Sequence, residues 1–149
     1  MAKGAVKVEY VFDLHGIREI LATGSNFALS SFSDGLADGS IKILSSVSRE
    51  LKDVDEALYK KLQHIKSGRV YIETRAAHYA VQQALMEKHG SSWYGGIPPS
   101  EHFEVVAIAQ SEGAAVVTGK KQIADYKSIL KKCAVSGVEI YAASEFYLI

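Results

Sequence analysis

Ala114-Ala115-Val116-Val117-Thr118 is an almost wholly apolar run, and it reads as a strand at the centre of a parallel sheet, covered on both faces. Before it, Ser100 is a plausible cap for a helix running through Val106 and Ala109 to Glu112. After it, Ile123, Tyr126, Leu130 and Cys133 recur at steps of three and four, the mark of an amphipathic helix. Helix, buried strand and helix in succession predict an α/β domain whose parallel strands are joined by crossover helices.

The same alternation extends through the rest of the chain. Val8 to Asp13 reads as a buried strand ending on a carboxylate, followed by two short helices, Gly16 to Thr23 and Ser25 to Leu36. Gly24-Ser25-Asn26 breaks them apart, and Asp38-Gly39 turns the chain into a second strand, Ile41 to Leu44. Ser45-Ser46 can cap the next helix. Val47, Leu51, Val54, Leu58, Leu62 and Ile65 then keep one apolar face and predict one continuous helix. Arg69 to Glu73 is a third strand, followed by a helix from about Ala76 to Lys88 with Ala77, Val81, Ala84 and Leu85 inward. Residues 90–99 are loop-rich, and Val138 to Tyr141 closes the series as a fifth strand. There is no internal repeat and no linker. The expectation is one domain over residues 1–149, a three-layer α/β/α with about five mostly parallel strands.

Composition narrows the function. The 149 residues carry 17 Lys plus Arg against 17 Asp plus Glu, which excludes a histone-like basic binder and an acidic tail. The lone Cys133 rules out an internal disulfide and a Cys-rich zinc site; on an apolar helix face it reads as core. The N-terminus lacks a signal-peptide pattern, and no stretch reaches the roughly 20 apolar residues of a membrane span. A soluble, cytoplasmic domain is expected.

In a parallel sheet, ligands gather beyond the carboxyl ends of the strands. Asp13 ends the first strand, Glu50 lies early in the helix after the second, and Glu101, His102 and Glu104 open the helix before the fourth. Thr118, Gly119 and Lys120 follow that strand. Carboxylates gathered at that edge repel one another unless a divalent cation neutralises them, and oxygen ligands suit Mg²⁺ or Mn²⁺.

Three stretches together carry a family likeness: Tyr10-Val11-Phe12-Asp13, Ser45-Ser46-Val47-Ser48-Arg49-Glu50-Leu51, and Ala107 to Thr118. In order and spacing the chain resembles the PIN domain, and within it the small VapC-type toxin ribonucleases. The resemblance implies an endoribonuclease dependent on Mg²⁺ or Mn²⁺, cytoplasmic and homodimeric, acting on RNA and paired with an antitoxin protein. It makes Asp13 and Glu50 the first two acids and metal ligands. The third acid position, five residues before Ala107, is His102, with Glu101 and Glu104 beside it as substitutes. The fourth, two residues after Thr118, is Lys120, and the polar position after the first acid is His15. On that scheme Asp13, Glu50, Glu101, Glu104 and His102 are catalytic, Asp13, Glu50 and Glu101 hold metal, and Lys120, His15 and Thr118 contact substrate. One or two cations would activate water and stabilise the leaving oxygen.

The departures support an alternative, an inactive PIN-like module that binds RNA or protein, with the Lys120 ammonium replacing the cation among the carboxylates. Other readings compete residue by residue. Asp13 can simply cap the following helix, Glu101 and Glu104 can serve the helix dipole, and the histidines can be structural or complete a zinc-like site. Thr118-Gly119-Lys120 fails as a phosphate loop, because Ala114 and Lys121 stand where Gly and Ser or Thr are needed. Trp93-Tyr94 would stack a base, pack on a partner subunit or cover the core.

Overall fold

The computed structural model describes residues 8–23, 25–65, 71–90 and 98–146. Trp93, Tyr94, most of the 90–99 loop, and Arg69 and Val70 of the third expected strand lie outside them. The chain is α/β. Five strands, β1 (Tyr10–Phe12), β2 (Ile41–Leu44), β3 (Tyr71–Ile72), β4 (Ala115–Thr118) and β5 (Ile140–Ala142), pair in the order β3-β2-β1-β4-β5, and every pairing is parallel. The described helices are α1 (Leu14–Ala22), α2 (Asn26–Asp38), α3 (Ser45–Val54), α4 (Glu56–Ile65), α5 (Ala76–His89), α6 (Ser100–Glu112), α7 (Ile123–Lys132) and α8 (Ala143–Phe146). Helix α1 packs against α2, α3, α4 and α8, whereas α5, α6 and α7 pack on one another, so the sheet is sandwiched between two helical layers.

The central strands explain that sandwich. Val11, Phe12, Val116 and Val117 are fully buried, so both sheet faces need cover and neither strand alternates. Phe12 meets Phe32 of α2 and Phe146 of α8 at ring-centroid distances of 4.8 and 5.2 Å. Phe103, Val106 and Ile108 of α6 are also fully buried, and α6 packs on β1 and β4. Because the chain leaves β1 first toward β2 and later returns on its other side as β4, strand order reverses there, and a crevice opens at the strand ends.

Several local expectations need correction. The stripe from Val47 to Ile65 is not one helix: it breaks at Asp55, whose carboxylate accepts a hydrogen bond from the Leu58 N–H at 3.2 Å and starts α4. A capping residue thus outweighs an unbroken apolar period, and Val54 is left 56% exposed. Helix α3 begins at Ser45 on a Leu44 cap position, and α6 begins at Ser100 on Pro99, neither with a side-chain cap. On α5, Ala77, Val81 and Ala84 face outward, while Leu85 and His89 are buried. His89 is held there by Ser128 Oγ at 3.2 Å and the Gly90 carbonyl at 2.8 Å, so hydrogen bonding brings a polar residue inward.

Candidate functional site

Phe12 delivers the chain to Asp13 at the mouth of the crevice. Asp13 has extended backbone and caps α1, its Oδ1 accepting from the Gly16 N–H at 2.7 Å. Gly16 is what lets α1 sit so close: a Cβ there would overlap the Val117 carbonyl oxygen of β4. The other carboxylate oxygen, Oδ2, accepts from Thr118 Oγ1 at 2.6 Å and Tyr126 Oη at 2.7 Å. Asp13 is 3% exposed and joins the start of α1, the end of β4 and α7 through three short hydrogen bonds.

Beside it opens a cleft of about 180 Å³. Asp13, His15, Glu50, Glu101 and His102 line it together, so five of the expected site residues do meet at one edge of the sheet. Leu14, Val47, Pro99 and Val105 supply apolar wall, and Tyr126 closes the floor. No Lys or Arg is among these lining residues. A larger opening of about 410 Å³ lies at the opposite end of the sheet, around Tyr10 and Ala115, the first residues of β1 and β4.

Crowding leaves an electrostatic trace. Burial, then the neighbouring Glu101, Asp13 and Glu104 charges, push the Glu50 carboxyl above the usual glutamate range, and His15 opposes them. His102 is 5% exposed, and neither ring nitrogen has a hydrogen-bond partner. Its ring lies 4.6 Å from that of Tyr126 and is stacked at 5.9 Å with that of His15. Burial lowers its pKa and keeps the imidazole neutral, although Asp13 pulls the other way. Burial, followed by the Asp13 charge, drives the Tyr126 phenol well above its ordinary value, so it remains a donor.

The depressed His102 value predicts an acid-side loss of stability. The unfolded chain takes up a proton on His102 near the ordinary histidine pKa of about 6.5, whereas the folded chain resists it. Its contribution is therefore complete above that pH and declines as pH falls toward the folded value. Urea titrations at pH 7.5 and 5.5 should show a drop for the native chain that His102→Gln reduces.

The remaining expected site residues lie elsewhere. Glu104 does not line the cleft. Its two oxygens accept from Ser46 Oγ and Thr74 Oγ1, each at 2.9 Å, and tie α6 to α3 and to the segment after β3. Its buried carboxylate is a brace, so Glu104→Ala is expected to cost about 2 kcal/mol in urea unfolding. Thr118 is fully buried and spends its hydroxyl on Asp13. Lys120 is exposed and does not line the cleft, and its backbone N–H donates to Glu19. The adjoining Gly119 packs against Gln122, Glu19 and His15, where a Cβ would lie 3.1 Å from the His15 Cβ. Tyr126 was expected only as core. Its signal was the phenol itself, because a Tyr on a buried helix face requires a hydroxyl partner.

Do these residues fit Mg²⁺ or Mn²⁺? Asp13 has given three of its roughly four acceptor sites to protein donors. Glu104 is committed to two hydroxyls, and His102, where the resemblance implies a third acid, offers an imidazole. Among the described residues, no three His, Cys, Asp or Glu side chains form a group that could hold a metal ion. The arrangement does not fit a hard divalent cation, which demands several oxygen ligands.

No protein-family model matches the chain, and no curated protein matches it. Among the described residues, no helix is long and apolar enough to cross a membrane.

Proposed function

We propose that this chain is a PIN-like module that binds single-stranded RNA at the cleft beyond β1 and β4 without using a metal ion. The observation that carries the metal-free reading is the satisfaction of Asp13 by Gly16, Thr118 and Tyr126. A carboxylate so engaged is a structural hub, and neutral donors remove the need for a cation beside it. Binding is supported by what the cleft retains: apolar walls, the partly buried His15 ring for stacking, and exposed Lys120 and Lys121 on the neighbouring turn. The lysines would meet phosphates at the rim, while the acidic interior repels them.

A second reading, the Mg²⁺- or Mn²⁺-dependent endoribonuclease, is favoured by the raised Glu50 carboxyl, since crowded carboxylates are what a cation would relieve. The toxin role, an antitoxin partner and a homodimer belong to that second reading.

The test is a labelled, unstructured RNA of mixed sequence incubated with the protein in EDTA and in Mn²⁺. The metal-free reading expects retardation unchanged by EDTA and intact RNA in both. Cleavage that requires Mn²⁺ would replace it with the ribonuclease reading.

A further inference from the structure

We infer that the cleft recognises the edge of an unpaired guanine base, with Glu50 and Glu101 as acceptors and His102 as the complementary donor. This rests on the RNA-binding reading and deepens it. The starting point is the mismatch between the cleft and a phosphate. Asp13, Glu50 and Glu101 line it, no Lys or Arg does among the described residues, and such a lining favours a base over a phosphate.

The buried imidazole narrows the choice of base. His102 is enclosed with both nitrogens unpartnered, and its neutral ring offers one N–H donor and one acceptor. Leaving such groups unpaired is costly, and the most direct relief is a ligand carrying a carbonyl. The carboxylates, by contrast, accept only, and favour a ligand with N–H groups set side by side. Guanine has both on one edge: adjacent N1–H and N2–H donors next to the O6 carbonyl. Adenine and cytosine place ring acceptors beside their amino group, and uracil flanks its single N–H with two carbonyls. Each would turn a lone pair toward Glu50 or Glu101.

The walls suit a flat ring. The His15 ring, partly buried, lies over His102 in near-parallel fashion, 25° between planes. A purine lying edge to edge with His102, roughly in the plane of its ring, accepts from the His102 N–H and stacks on the face of His15, with Val47 and Val105 at its edges.

The experiment measures anisotropy of labelled nine-residue oligouridine RNAs carrying one central guanine, adenine or inosine, with free guanosine as competitor. The guanine RNA is expected to bind roughly 5- to 150-fold more tightly than the adenine RNA, the range of a good paired base contact. Inosine, which lacks the N2 amino group, should fall between. Glu50→Gln should erase the preference, whereas Lys120→Ala should weaken all three RNAs alike. Equal affinity for all three would overturn the guanine assignment and leave RNA binding standing. No binding of any RNA, with free guanosine also silent, would overturn both. Free guanosine bound as tightly as the guanine RNA would uphold the pocket and overturn the RNA reading.

Discussion

Asp13→Ala is expected to destabilise the protein by about 3–5 kcal/mol in urea unfolding with EDTA present. A lost helix cap accounts for about 1 kcal/mol, and two stranded buried hydroxyls, on Thr118 and Tyr126, for about 1–2 each. That is a large share of the roughly 5–15 kcal/mol that holds a domain together. Should the variant fail to fold, Asp13→Asn, which keeps the shape and one carbonyl acceptor, should still lose about 2 kcal/mol. The sign of the change is informative. A carboxylate kept only to bind metal would repel Glu50 and Glu101 in EDTA, and its removal would raise stability.

Gly16→Ala is the second large effect, expected at about 2 kcal/mol destabilising. The added methyl would gain up to about 1 kcal/mol in helix propensity. Against this, it would overlap the Val117 carbonyl oxygen, a backbone atom fixed in the central sheet, at the upper end of the roughly 1–3 kcal/mol cost of overpacking. Relief would require α1 to lift from β4, which would also pull the Asp13 N–H from the same carbonyl, 3.2 Å away. Gly35→Ala provides the contrast. Its new Cβ would meet the Ile41 side chain, whose outer carbons can turn aside, so its cost should be smaller. Equal losses in the two variants would show that the close approach at Gly16 has no special role.

The strands were legible because each is short, apolar and bounded by a change of period, and a sheet buried on both faces leaves that mark on Val11-Phe12 and Val116-Val117. The meeting of Asp13, His15, Glu50, Glu101 and His102 was legible for the same reason, since parallel strands send all their carboxyl ends to one edge. What stayed hidden depends on contacts remote in sequence. Tyr126 reaches Asp13 across 113 positions, and Glu104 reaches Ser46 across 58, so nothing local distinguishes a brace from a ligand. The break at Asp55 was masked by an apolar period that continues on both sides of it. The inward face of α5 is likewise set by remote contacts: His89 is held inside by Ser128, 39 positions away, while Val81 stays exposed.

The measurement that bears most directly on the central claim is calorimetric titration of Mn²⁺ into the protein, with Asp13→Asn as the control. The metal-free account predicts no saturable binding up to millimolar metal. Saturable binding at one or two sites, lost in Asp13→Asn, would contradict it and return the acidic cleft to metal-dependent chemistry.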